Sequence, residues 1–482
     1  MTKSLKNKTI RGVGWSFIDN IASSGITFLV GLVLARLLTP EEYGVMAMIT
    51  IFIAISDSII DSGFSNALIR KVHINRVDYN TVFYFNLVVS VFLYIVLFLF
   101  SPAISVFFKE PILVEVMRVI GWVLIINALA IIPRTIFVRA VNFKTQTKVS
   151  LISSVTSGIV GIGMALGGMG VWSLVGQQLS RQILNTLFLW VYCKWQPAFE
   201  FSVKSFREMF SFGYKLLFSG LIDTIYKDVY YLIIGRFFSS ALLGQYTRAQ
   251  QFNIIFSSNL TAVVQRVSYP VLSSIQNEPE RLREAYRKVI KTTMLVTFAC
   301  MLGLAAVAKP LVIILIGEKW LPAVSFLQII CFSGMLYPLH AINLNILKVK
   351  GRSDLFLKLE LIKKTLAIGP IVIGVFYGIE YMLWGSVLNS FVAYFLNSYY
   401  SAGLINYSTK EQLKDLLPTF LVSIFVALLM WSLSFCISSV YFLLPLQLLF
   451  GIFLAYFIYE KTKLPEYLEL KHLGISLFNR NK

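Results

Sequence analysis

Residues 28–44 read FLVGLVLARLLTPEEYG, and about 200 residues later residues 228–244 read DVYYLIIGRFFSSALLG. Arg236 stands where Arg36 stood, and Phe237 and Phe238 replace the double leucine. Ser239 replaces Thr39, and Gly244 aligns with Gly44. Each copy closes one apolar run and opens the next, so each marks a tight turn between two helices. Further matches follow in the same order. SPAISVFFKEP pairs with AKPLVIILIGEKW, setting Pro102 against Pro310 and Glu110 against Glu318. IIPRTIFVRAVNFKT pairs with MLYPLHAINLNILKVKGRS through Pro133 and Pro338. Each match is weak alone; together, in order, they indicate a duplicated chain.

The composition says what was duplicated. Of 482 residues, 57% are apolar and 14% charged, and the mean hydropathy is +0.74. A soluble domain carries about 25% charged residues. The apolar residues come in runs such as NTVFYFNLVVSVFLYIVLFLF (80–100), and about 20 such residues cross a bilayer as a helix. The chain therefore reads as an all-α polytopic membrane protein. Spans are expected near 12–38, 43–69, 79–108, 112–138, 145–167 and 170–193. The second half gives 211–238, 244–272, 287–316, 323–348, 354–377 and 380–403, then 416–437 and 440–460. That is about fourteen spans. Six spans separate equivalent helices, an even number, so the halves are parallel repeats about an axis normal to the membrane. The expected organisation is an N-lobe at 1–193, a linker at 194–210, a C-lobe at 211–403, and a helix pair with tail at 404–482. A cleft between two such lobes is transporter architecture.

Orientation follows from lysine and arginine. The connections TPEE, GGMG, YGIEY and SSVYFLLP carry none, whereas IRKVHINR, RAVNFKTQTK, PERLREAYRKVIK and KVKGR are loaded. The positive-inside rule then sets both termini in the cytoplasm. The same placement explains the net charge of +19 as topology signals and lipid contacts rather than nucleic-acid binding. The linker KWQPAFEFSVKSFREMF alternates phenylalanines with charges; an amphipathic segment on the inner face and a solvated loop both fit it. Four scattered cysteines form no CxxC pair, and His73, His340 and His472 lie far apart, so no metal site is expected. No cofactor is expected, and no nucleotide-binding loop is present.

The run RAVNFKTQTKVSLISSVTSGIVGIGMALGGMGVWSLVGQQ (139–178) resembles the polysaccharide-transport branch of the MOP flippase superfamily, within it the WzxC-like exporters. NFKTQTK followed by GMGVWSLV carries most of the likeness, and RGVGWSFIDN, LARLLTPEEYG, DSGFSNALIRK and QRVSYPVLSSIQ fit the same pattern. The resemblance spans residues 10 to about 460. It implies a MATE-like fold of two lobes that open inward and outward, in the bacterial inner membrane. It further implies that oligosaccharide repeat units on undecaprenyl diphosphate move from the inner to the outer leaflet. Such export serves lipopolysaccharide or exopolysaccharide biosynthesis. A proton or sodium gradient and other polysaccharide-assembly proteins are the further partners it implies.

Charges inside spans are expensive and mark function by default. The basic candidates for a diphosphate are Arg181, Lys215, Lys227, Arg266, Lys363 and Lys364, because arginine offers a bidentate fork and lysine a point charge. Lys215 and Arg266 lie near the expected inner surface, where snorkelling explains them equally. The acidic candidates for ion coupling are Asp19, Asp57, Asp61, Asp223 and Asp228. Asp57 and Asp61 are four apart and share a helix face, as do Asp223 and Lys227. Two acids so placed share a proton; ordinary internal pairing is the structural alternative. Arg36 and Arg236 read as snorkelling or helix-capping residues.

Competing functions are a polytopic polysaccharide polymerase or ligase, a MATE-type drug exporter, and a transporter of the peptidoglycan lipid precursor. The outer connections are short and hold no acid–histidine pair for acid–base chemistry, so a non-enzyme is expected. A cationic drug site favours acids over this basic set. The lipid precursor shares the diphosphate, and charge does not separate it.

Overall fold

The computed structural model describes residues 3–479 and is helical, with no β-strand among the described residues. The first half comprises α1 (Lys3–Leu37), α2 (Pro40–Asp61), α3 (Phe64–Arg70), α4 (Arg76–Phe108), α5 (Leu113–Ile120), α6 (Trp122–Arg139), α7 (Phe143–Leu166), α8 (Val171–Tyr192) and α9 (Val203–Phe237). The second comprises α10 (Ser240–Ser274), α11 (Pro279–Ile316), α12 (Pro322–Gly334), α13 (Tyr337–Val349), α14 (Ser353–Leu366), α15 (Ile368–Tyr377), α16 (Ile379–Ile405), α17 (Thr409–Cys436), α18 (Val440–Thr462) and α19 (Pro465–Asn479).

Several expected spans are broken helices. The span at 43–69 breaks at Ser62 and Gly63, whose φ angles are 45° and 71°, a region glycine enters without steric cost. Pro338 opens α13 and separates it from α12. Pro370 clashes with a helical carbonyl four residues earlier, and α14 ends at that residue, Leu366. Eight segments among the described residues are long and apolar enough to cross a membrane. Helices α8, α9 and α10 are as long, but carry charged candidates singled out above: Arg181 on α8, Lys215, Asp223, Lys227 and Asp228 on α9, and Arg266 on α10.

The chain forms two compact units, Met1–Gly244 and Gln245–Lys482. The division falls within the start of α10, after Gly244. In the first unit α7 packs on α1 and α8, α4 on α6, and α2 on α9. In the second, α11 packs on α12 and α17, and α15 on α16. Large apolar side chains such as Phe92, Leu99, Phe453 and Phe457 remain exposed, as lipid-facing surfaces require.

The linker is a bound strap. Ala198 N–H donates to Asn80 Oδ1 at 3.3 Å, Ser202 N–H to Thr81 Oγ1 at 3.0 Å, and Asn80 Nδ2 to Glu200 at 3.1 Å. Phe199 stacks on Tyr84 and Phe206 on Phe210. From Val203 onward the segment is already α9. Lys71 bridges Asp78 at 3.2 Å and Glu208 at 3.0 Å. Burial opposes its charge, but the bonds to Glu208 and Asp78 outweigh it and raise the Lys71 pKa.

Candidate functional site

The two copies of the repeated turn meet inside the first unit. A Cβ on Gly44 would overlap the carbonyl of Ser240, and one on Gly244 would overlap the carbonyl of Pro40. Pro40 and Ser240 occupy equivalent positions, the first residues of α2 and α10, so the contact is reciprocal and runs backbone to backbone. A hydroxyl caps each helix start, but only the first copy has the reciprocal carboxylate, since Leu242 stands where Glu42 stood. Thr39 accepts from Glu42 N–H, while its own N–H donates to the Glu42 carboxylate at 2.7 Å. In the second copy Ser239 Oγ accepts from Leu242 N–H at 3.2 Å. Arg236 donates to the Phe107 carbonyl at 2.5 Å and lies 4.8 Å over its ring. Its role is to pin a neighbouring helix end.

Below this turn, α2 carries its acids into a polar cluster. Asn127 on α6 donates to Asp57 Oδ1 at 2.8 Å and accepts from Gln182 on α8 at 3.0 Å. Asp61 accepts from the backbone and hydroxyl of Ser65. Arg134 on α6 interacts electrostatically with both Asp57 and Asp61. Its side chain is exposed. Asp19 on α1 accepts from Ser23 at 3.0 Å, and Ser23 bonds Ser150 on α7 at 2.8 Å. Asp19 is also the electrostatic partner of Arg181, which is partly buried. Three helices (α2, α6 and α8) thus hold two acids, two amides and an arginine together, and α1 with α8 holds a second acid–arginine pair.

The other candidates are placed differently. On α9, Asp223 and Lys227 are exposed, while Asp228 is partly buried and coupled to Lys227. Ser58 and Thr224 join α2 to α9 at 3.2 Å. Lys215 is exposed, 5.8 Å from the Tyr214 ring. In the second unit Arg266 is exposed on α10. Lys363 and Lys364 are partly buried on α14, and Lys363 pairs with Glu360 at 2.5 Å.

Sequence reasoning missed Arg134. Its signal was present: an arginine directly after Pro133 within an apolar run. It also missed a buried polar hub in the second unit. Tyr286 on α11, at 2.7 Å, and Ser401 on α16, at 2.8 Å, both donate to Asn343 Oδ1 on α13. No cluster of three or more histidine, cysteine or carboxylate groups fit to hold a metal occurs among the described residues.

Ionisable residues placed within a helical membrane fold mark a functional site. The polysaccharide biosynthesis protein family matches residues 33–325, and the chain belongs to that family. It is similar to the teichuronic acid biosynthesis protein TuaB of Bacillus subtilis, 27% identical over 73% of each chain. It is similar also to the succinoglycan biosynthesis transport protein ExoT of Rhizobium meliloti, 25% identical over 81% of this chain and 80% of that one. The solved structure of the lipid II flippase MurJ in an inward closed conformation shares its fold. The TM-score there is 0.75 at 15% identity, over 94% of this chain and 99% of that one.

Proposed function

We propose that this chain is a flippase of the bacterial cytoplasmic membrane, with both termini inside. On this reading it carries oligosaccharide repeat units linked to undecaprenyl diphosphate from the inner to the outer leaflet. The observation that carries the reading is that arginines of α6 and α8 act electrostatically on acids of other helices, Arg134 on Asp57 and Asp61, and Arg181 on Asp19. A diphosphate needs fixed cations and hydrogen-bond donors, and a resting carrier needs those cations paired when the substrate is absent. The family match, the transport role of ExoT and the lipid II flippase role of MurJ support a lipid-linked sugar as the cargo. Arg134 joins Arg181, Lys215, Lys227, Arg266, Lys363 and Lys364 as the cationic set. Asp57 and Asp61 are the exchange partners of Arg134, Asp19 of Arg181 and Asp228 of Lys227, with Asp223 beside them on α9; Lys363 rests on Glu360.

The mechanism is alternating access between the two repeats, residues 1–193 and 211–403, with residues 404–482 an addition to the second. In the resting state each acid neutralises a cation. An arriving diphosphate takes over the cations, the released acids become free to bind a proton or sodium ion, and the changed balance of contacts shifts the population of states. The chain acts on its substrate by moving it, with no covalent step. Reconstitution tests this. Liposomes holding the purified protein and a fluorescent sugar on undecaprenyl diphosphate are exposed to a membrane-impermeant quencher. Protein-dependent exchange of the label between leaflets is expected; exchange no faster than in empty liposomes contradicts the reading.

A further inference from the structure

Two surface cavities of the second unit meet at the start of α17. The first, about 890 Å³, takes in Arg352 at the start of α14, Tyr399 and Tyr400 on α16, and Ser408, Lys410 and Glu411 at the turn into α17. The second, about 590 Å³, is a groove between α16 and α17. Val392, Phe395, Leu396 and Tyr399 form its α16 wall at i, i+3, i+4 and i+7, one face of a helix. Thr409, Lys410 and Leu413 form its α17 wall. Tyr399, Thr409 and Lys410 line both cavities, which makes them continuous. The polar cavity lies at the loop end. The apolar groove runs into Thr409–Cys436, a segment long and apolar enough to cross a membrane.

The frame of this composite cavity is fixed by the protein itself. Ser398 and Thr409 hydroxyls bond across the two helices at 3.0 Å, and Tyr407 donates to Asp415 at 2.7 Å. The cavity is therefore formed before any occupant arrives.

The polar end carries a surplus of positive charge. Arg352 is held by both oxygens of Asp354, at 2.9 and 2.7 Å, and Glu411 faces Arg283 at 2.9 Å. Those four charges cancel in pairs. Lys410 is exposed and forms no ion pair among the described residues. Lys358, also exposed, lies 5.7 Å from the Tyr400 ring. The backbone adds donors. The capping box of α17 uses the N–H groups of Ser408 and Glu411. Those of Thr409 and Lys410, in the first turn, have no intrahelical partner, and the helix dipole makes this end attract anions.

An occupant that satisfies both ends has an anionic head and a hydrocarbon chain. A soluble anion leaves the groove empty, and a neutral lipid leaves Lys410 without a counter-charge. From Val392 to Tyr399 the α16 wall runs about 10 Å. That is part of the length of a fatty acyl chain and far short of a polyprenyl chain.

We infer that this composite cavity binds one anionic phospholipid of the bilayer. Its phosphate sits over Lys410 and the first turn of α17, and one acyl chain lies along Val392, Phe395 and Leu413. Bound there, the lipid braces α16 against α17 and so fastens the added helices to the repeat before them. The inference goes beyond the flippase reading and stands independently of it.

The test uses full-length, delipidated protein in detergent, titrated with phosphatidylglycerol or phosphatidylcholine and read by native mass spectrometry and melting curves. The wild-type protein is expected to bind a first phosphatidylglycerol about tenfold more tightly than phosphatidylcholine, with a raised melting temperature. Lys410→Glu is expected to lose that preference, and Lys410→Arg to keep it. Leu413→Trp fills the groove without changing charge, and is expected to weaken binding of both lipids several-fold. Lys461→Glu, at an equally exposed lysine in the last turn of α18, is expected to behave as wild type. An undiminished preference in Lys410→Glu, or an equal loss from Lys461→Glu, overturns the inference, because the attraction is then diffuse. Unweakened binding in Leu413→Trp overturns the placement of the chain. Displacement of the bound phosphatidylglycerol by an equimolar amount of undecaprenyl diphosphate overturns the choice of a phospholipid as occupant.

Discussion

Replacing Arg134 by glutamine removes the cation that faces Asp57 and Asp61. Two carboxylates one helical turn apart then repel, and one of them takes up a proton or the site loosens. The expected result is a several-fold loss of export together with a lowered melting temperature. Adding Asp57→Asn to Arg134→Gln is expected to recover most of the melting temperature and none of the export. Melting curves and surface-polymer yield of the single and double variants check this, and independent, additive effects on stability contradict the coupling. The acids of this cluster were legible in the sequence, because Asp57 and Asp61 share a face of one helix. Their cation was not, because Arg134 comes from a helix distant in sequence and only packing brings it near.

At the scale of elements, the repeated turn and the helices after residue 404 each have a distinct physical basis. Gly44 and Gly244 each leave room for the other copy's backbone. A β-branched side chain at either position cannot be accommodated without separating α2 from the start of α10. Gly44→Val and Gly244→Val are each expected to abolish most export while the protein still reaches the membrane. They are also expected to raise the reactivity of a cysteine placed at residue 240 toward an impermeant maleimide. Unchanged labelling argues against a contact that opens and closes.

The helices after residue 404 are fastened by charge. Four basic residues of α11 pair with acids of α17 and α19: Arg283 with Glu411 at 2.9 Å, Arg287 with Asp415 at 2.5 Å, Lys288 with Glu469 at 2.9 Å, and Lys291 with Glu466 at 3.0 Å. Glu466 is 3% exposed and also accepts from Thr419. Lys291→Met leaves that carboxylate without its cation, at about 1–3 kcal/mol. A lower melting temperature and faster proteolysis of the tail are expected, with lesser effects from Lys288→Met at the exposed pair. Equal effects from both variants contradict the assignment. The sequence showed these charges as a basic loop and an unassigned tail. Their pairing was hidden because the partners are more than 100 residues apart.

For the whole molecule, duplication was legible because a repeat leaves its mark on the sequence itself, and hydropathy showed a membrane because lipid imposes long apolar runs. Broken helices were less legible. Gly63 and Pro370 interrupt runs whose hydropathy is continuous, and hydropathy does not register backbone geometry. The central claim is that this molecule moves a lipid-linked sugar unit outward. The most direct measurement is the amount and leaflet of undecaprenyl-diphosphate-linked repeat units in cells lacking the protein. The account predicts that single units accumulate facing the cytoplasm and that the surface polymer is lost. Single units that reach the outer face and remain unpolymerised would contradict it, and would point to an enzyme of assembly instead.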